Sequence, residues 1–228
     1  VRGRTILIAG EPGSGKSWLA GLLCEQLILQ GYCLCIIDPE GDYRALEALP
    51  NVITLGGDDP PPHARELLRA LRHPDVSVIV DLSKISHRDK RDYLSELLPL
   101  LMTLRRRTGL PHKILLDEAH YFLAGKESCR CIDPELAGYI LVTYRVSALE
   151  PAIRAASDTV VMVTRETDPL EAETLRGMCR SSSTKAVPAG IFGDLATNEA
   201  ALLPGAEEAH GQIRRFQIAP RLTAHVRH

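Results

Sequence analysis

Short apolar runs alternate with amphipathic stretches along most of the chain. "TILIAG" (5–10), "CLCIID" (33–38), "NVITL" (51–55), "VSVIVDLS" (76–83), "KILLDEAH" (113–120), "YILVTYR" (139–145) and "TVVMVTR" (159–165) each open on a nearly unbroken apolar block. That pattern predicts strands covered on both faces. Between them, "WLAGLLCEQLILQG" (18–31) sets Leu19, Leu22, Leu23 and Leu27 on one helical face, with Gly31 as its stop. "HARELLRALRH" (63–73) is amphipathic, and residues 89–108 read as one long helix bent at Pro99. "DPLEAETLRGMC" (168–179) reads as a helix with Asp168 as N-cap. Strand and helix in alternation predict an α/β fold, a mostly parallel central sheet with helices on both faces.

Beyond Arg180 the alternation loosens. "SSSTKAVPAG" (181–190) is loop-like, while "EAALLPG" (199–205) and "QIRRFQIAP" (212–220) predict a short β pair. We therefore expect a core over residues 1–180 and a loop-rich extension over 181–228, packed on the same domain. No internal repeat is visible.

One junction between strand and helix carries chemistry. "GEPGSGKS", residues 10–17, fits G-x-x-x-x-G-K-[ST] at every fixed position. Glycines let backbone N–H groups turn inward around phosphate oxygens, and the following helix aims its partly positive end at them. The nucleotide contacts expected from this segment are Gly10, Pro12, Gly13, Ser14, Gly15, Lys16, Ser17 and Trp18. Lys16 is the charge clamp on the β- and γ-phosphates, and the Ser17 hydroxyl is a ligand for Mg²⁺.

Two strands end in an acid, "VIVD" at Asp81 and "ILLD" at Asp117, but only the second continues into another carboxylate. Asp117 is the expected Mg²⁺ partner and Glu118 the general base that polarises an attacking water. Asp81 reads as a strand-end residue near the site. His120 either links the site to another element or packs at a loop start. In "TYRVSAL", Thr143 and Arg145 sit at a strand tip, where open α/β sheets meet ligands. Arg145 is a catalytic candidate that approaches the γ-phosphate or faces a neighbouring subunit.

Composition narrows the function class more than the fold. The 228 residues are 45% apolar and 25% charged, ordinary for one globular core. A net charge of −2 gives no global electrostatic case for nucleic acid. Arg105, Arg106 and Arg107 complement a helix dipole or offer an arginine finger in trans. Arg214 and Arg215 alternate to opposite faces of a strand and make a poor patch. No apolar run is long enough to span a membrane and none reads as a secretory leader. The six scattered cysteines, including "CRC" at 129–131, then read as free thiols in a reducing cytoplasm. The chain opens on Val1 immediately before its first strand, and we expect a domain of a longer polypeptide.

Taken together the motifs resemble the HerA–FtsK family of P-loop ATPases. "GEPGSGKS" resembles its phosphate loop and "IIDPEGDY" its second-strand signature, with Asp38, Gly41 and Tyr43 matching. "VIVDLS", "ILLDEAHYFL" and "TYRVSAL" resemble its later strands and sensor segment, so the likeness spans residues 4–165. It implies a RecA-like P-loop NTPase core, ATP and Mg²⁺ as cofactors, and homo-oligomeric, hexameric rings completed by a neighbour's arginine. It implies nucleotide roles for Lys16, Ser17, Asp117 and Glu118, and an active-site role for Asp38. Two departures stand out: Tyr144 replaces a polar amide, and "AGKESCRCIDPELAG" (124–138) is a short insert. The expected function is a motor-type ATPase acting on DNA. The rival is an ATP-dependent switch that controls a fused or partner effector. A small-molecule kinase is disfavoured, because phosphoryl transfer to an acceptor other than water needs no second acid at Glu118.

Overall fold

The computed structural model describes residues 4–125, 131–133, 136–156, 160–179, 190–204 and 212–224. Nine strands form one sheet: β1 (Ile6–Ala9), β2 (Leu34–Asp38), β3 (Val52–Gly56), β4 (Ser77–Asp81), β5 (Lys113–Leu116), β6 (Tyr139–Thr143), β7 (Val160–Val163), β8 (Glu199–Leu203) and β9 (Arg214–Gln217). The helices are α1 (Lys16–Leu29), α2 (Ala64–Ala70), α3 (His87–Thr108), α4 (Pro151–Ala156) and α5 (Pro169–Met178). Strand order is β3-β4-β2-β5-β6-β1-β7-β8-β9, so β6 lies between the strand that enters the glycine loop and the strand that ends at Asp117. β1 to β7 pair in parallel, whereas β7 with β8 and β8 with β9 pair antiparallel.

Alternate residues of each central strand feed two separate cores, as a sheet covered on both faces requires. Ile6, Ile8, Leu34, Ile36, Leu115 and Ile140 pack with α1. Leu7, Ile37, Val80, Leu116 and Leu141 pack with α2, α3 and α5 on the other face. The face of α1 differs from the expected stripe. Leu22 and Leu23 are only half-buried, while Cys24, Glu25 and Ile28 are inside. A helix rich in apolar residues all round gives periodicity little to act on, and a buried glutamate cannot be read from a hydrophobic pattern. Gly31 adopts φ 82° just past the Gln30 cap.

Asp168 caps α5 through Oδ1, which accepts from the N–H of Leu170 (2.8 Å) and of Glu171 (3.1 Å). α3 runs unbroken through Pro99 and starts at a Ser86 cap. The expected β pair exists as β8 and β9. Much of "SSSTKAVPAG", together with Cys129, lies outside the described residues. Among the described residues no helix is long and apolar enough to cross a membrane.

Because β8 runs against β7 and β9 against β8, the start of β8 and the end of β9 reach the sheet edge where the parallel strands end. The carboxyl ends of the strands, the glycine loop and the open end of the β8–β9 pair therefore share one rim.

Candidate nucleotide site

The loop after β1 is shaped by three glycines at φ 147°, 75° and 98° (Gly10, Gly13, Gly15). Gly10 tolerates no side chain, since a Cβ there would stand 2.0 Å from Thr164 Oγ1. The Thr164 hydroxyl donates to Ala9 O (3.1 Å) and shares a 2.6 Å hydrogen bond with Ser14 Oγ, tying the loop to the end of β7. The Glu11 N–H donates to Arg165 O at 2.8 Å, and the two side chains form an ion pair at 3.2 Å. Sequence reading passed over Thr164 and Arg165, because a pairing across the sheet leaves no local signal.

Lys16 is buried, with its ammonium on Glu11 O at 3.0 Å. Burial pulls its pKa below the ordinary value, against the opposing pull of Glu118, Asp117, Glu166 and Glu11. Asp117 is 3% exposed, and its Oδ1 accepts the Glu118 N–H at 2.8 Å. Burial first, then repulsion from Glu118 and Asp38, pushes the Asp117 carboxyl well above the usual range. Glu118 is raised too, by burial and by Glu40 and Asp42, with Lys16 pulling the other way. Its backbone is left-handed at φ 48°, which is uncommon for a residue with a side chain and costs about 1 kcal/mol or more. The strained turn sits directly after the strand tip, and its carbonyl accepts the Tyr121 N–H at 2.9 Å.

His120 joins two strand tips. Its Nδ1 shares a 3.0 Å hydrogen bond with Thr143 Oγ1 at the end of β6 and lies 3.4 Å from Glu118 Oε2. Its ring packs on Tyr121 and Tyr144, at centroid distances of 4.1 and 4.3 Å. Burial, with Arg145 and Lys16 nearby, pushes its pKa down to about 4, so the ring is neutral at pH 7. Of the two readings of His120, the geometry is that of the link. Thr143 is wholly buried and Arg145 is exposed, with its N–H on Thr143 Oγ1 at 3.0 Å.

Asp38 differs from the rest. It is 0% exposed, and its carboxylate accepts the N–H groups of Gly41 (2.8 Å), Asp42 (3.1 Å) and Tyr43 (2.9 Å), which folds the "PEGDY" turn. Burial raises its pKa to about 6 despite these bonds. It therefore shapes the acidic rim from beneath, and Asp42 is the residue of this turn that reaches the cleft.

That cleft has a volume of about 960 Å³, within the range that accepts a nucleotide-sized ligand. Gly13, Gly15, Lys16, Ser17 and Trp18 form one side, and Thr197, Asn198 and Gln217 to Pro220 form the other. Gly10 and Ser14 lie buried beneath the loop, and Pro12 faces solvent outside the cleft. The second wall was invisible in the sequence, because nothing local marks residues 197–198 or 217–220 as neighbours of a loop at 10–17.

Ser17 and Asp42 line the cleft, whereas Asp117 and Glu118 lie outside its lining. Burial and other carboxylates hold both of those acids above their usual range, a repulsion that a cation beside them would relieve. Among the described residues no group of three His, Cys, Asp or Glu is arranged to hold a metal. Mg²⁺ takes one or two protein oxygens and fills its shell with water and phosphate oxygens, so Ser17 and Asp117 are the residues whose oxygens would serve it.

The clustered arginines are largely engaged elsewhere. Arg105 donates to Ala137 O at 2.5 Å and lies 5.4 Å from the centroid of the Tyr139 ring, and Arg106 pairs with Asp133. Arg107, Arg214 and Arg215 are exposed, with Arg215 donating to Ile191 O at 3.2 Å.

Residues 3–57 match the family model described as the central domain of helicase HerA. The fold resembles that of the genome packaging NTPase B204 from Sulfolobus turreted icosahedral virus 2, solved with AMPPCP, at 16% identity and a TM-score of 0.65. The match covers 97% of this chain and all of that one, 100%. VirB4 of Thermoanaerobacter pseudethanolicus aligns at 13% identity and a TM-score of 0.63, over 96% of this chain and 90% of its own. The bacterial conjugative coupling protein TrwB aligns at 13% identity and a TM-score of 0.70, over 99% and 87%. At these identities the shared property is the fold. No curated protein matches the chain in sequence. The likeness to helicase HerA is thus carried by residues 3–57, and the likeness to the packaging and conjugation proteins is one of fold.

Proposed function

We propose that this chain, built on the HerA–FtsK plan, binds Mg·ATP at the carboxyl rim of its sheet and hydrolyses it as the motor domain of a homo-oligomer acting on DNA. The observation that carries this reading is the glycine loop that leads from β1 into α1 with Lys16 buried in it, on the same rim of the sheet as Asp117 and Glu118. The amides of Gly13, Gly15, Lys16 and Ser17 cradle the phosphates, and the Lys16 ammonium balances the charge that develops on them. Ser17 and Asp117 would hold Mg²⁺, which would supply positive charge against the phosphates. Glu118, with its raised proton affinity and its position two residues beyond the end of β5, accepts a proton from the attacking water. Exposed Arg145 serves a terminal phosphate, in its own site or in that of an adjoining subunit.

Packaging and conjugation are the settings of the similar folds, and they support a polymer of DNA as the substrate of the motion. A second reading, a nucleotide-controlled switch without translocation, draws on the near-neutral charge and on the engagement of Arg105 and Arg106 within the fold. ATP turnover measured with and without duplex DNA over a salt series separates the two. The motor predicts DNA-stimulated turnover that falls steeply with salt, and DNA-indifferent turnover would leave the switch. In the same assay Glu118→Gln retains ATP binding and loses about 10²-fold or more in turnover. Wild-type rates in that variant would remove Glu118 as the base.

A further inference from the structure

Phosphate contacts explain only one side of the cleft. The opposite wall comes from the far end of the sequence, and three observations show that it is built rather than incidental. First, the turn before β8 abuts the phosphate loop: a Cβ on Gly15 would meet Thr197 O at 3.2 Å. Second, the segment after β9 is fastened to α1. The Trp18 indole N–H donates to Ala219 O at 3.3 Å, and the Arg221 guanidinium carbon lies 5.9 Å from the centroid of the Trp18 ring. Third, the fastening is buried. Arg221 and Glu25 form an ion pair at 3.4 Å with both side chains 0% exposed, and Glu25 also accepts the N–H groups of Leu222 (2.9 Å) and Thr223 (2.8 Å). Gly21 is the small residue that lets Arg221 lie on α1, since a Cβ there would stand 2.2 Å from Nη1.

We infer that residues 217–220, latched to α1 through Arg221 and Glu25, form a nucleobase subsite supplied by this chain itself. The proposal rests on the reading of the loop as a triphosphate cradle and adds the part of the ligand that the loop does not touch. A base lying on this wall meets the exposed ring of Pro220 at one end, backed by Ile218, which is buried against α1. At the other it meets the side-chain amides of Asn198 and Gln217, which offer both donors and acceptors. Flat apolar surface with a few convergent polar groups is the chemistry by which a heterocyclic base is held.

The test compares two probes on the whole chain by calorimetry: Mg·AMPPCP, which carries a base, and inorganic tripolyphosphate, which does not. Wild type should bind AMPPCP more tightly than tripolyphosphate. Gln217→Ala, at an exposed position, and Arg221→Met, at the latch, should each weaken AMPPCP about tenfold, the scale of one lost hydrogen bond with its packing. Tripolyphosphate affinity should stay within about twofold, which also reports that the loop is intact. AMPPCP bound no better than tripolyphosphate by wild type, or variants that leave AMPPCP affinity unchanged or lower both affinities equally, would overturn the nucleobase wall. Wild type that binds neither probe would instead strike the triphosphate reading, and the wall with it.

Discussion

His120 is the residue whose environment departs furthest from its sequence neighbourhood. An unfolded imidazole titrates near 6.5, whereas in the folded chain burial and two cations bring it to about 4. Between those values the unfolded chain binds more protons than the folded one. His120 therefore contributes its full share of stability above about pH 6.5, and that share declines as pH falls toward 4. Urea midpoints should record a loss on the order of 2 kcal/mol between pH 7 and pH 4.5 in wild type that is absent in His120→Gln. Equal losses in the two proteins would contradict the assignment. The histidine was legible as a residue beside the acidic tip, but its role was not. Its partners Thr143 and Tyr144 lie on another strand, and only the order β5-β6 brings them together.

Strands and helices follow the hydrophobic pattern closely because a parallel sheet buried on both faces demands unbroken apolar runs, and such runs are easy to see. The order of the strands and the attachment of β8 and β9 to β7 depend on long-range pairing, and no short window of sequence encodes them. α1 shows both sides of this. Its start at the glycine loop is explicit in "GSGKS", yet its contact with Arg221 is silent. That contact sets the prediction proper to the element. Removing one partner of a buried pair leaves the other uncompensated, so Glu25→Ala should lower stability by about 3–5 kcal/mol, seen as a drop in thermal midpoint. Burial alone would raise the Glu25 pKa, but bonds from Thr223, Leu222 and Arg221 hold it below its ordinary value. Its contribution is present above the unfolded pKa and is lost as pH falls through the folded one. A Glu25→Ala midpoint equal to that of wild type would show that the latch adds nothing.

For the molecule as a whole, the half of the site read from sequence is the half made by contiguous residues: the loop at 10–17 and the acids at 117–118. The half that escaped is assembled from residues 42, 197–198 and 217–220, converging on one rim because β8 and β9 fold back along the sheet. Arg145 at that rim is exposed, and the role proposed for it across a subunit boundary makes oligomeric state its test. Sizing of the purified chain should accordingly show a larger species with Mg·AMPPCP than without nucleotide, and Arg145→Ala should weaken that shift. A single monomeric size under both conditions would restrict the chain to a self-sufficient site.

The pairing of residue 25 with residue 221 spans 196 positions. During synthesis the first helix emerges early with an acid on its inward face and no counter-charge to meet it. Only when nearly the whole described chain has been made can that acid be neutralised and the helix settle fully on the sheet. The glycine loop leads into this same helix, so a nascent domain stopped short of residue 221 carries the loop without the buried pair that seats its helix on the sheet.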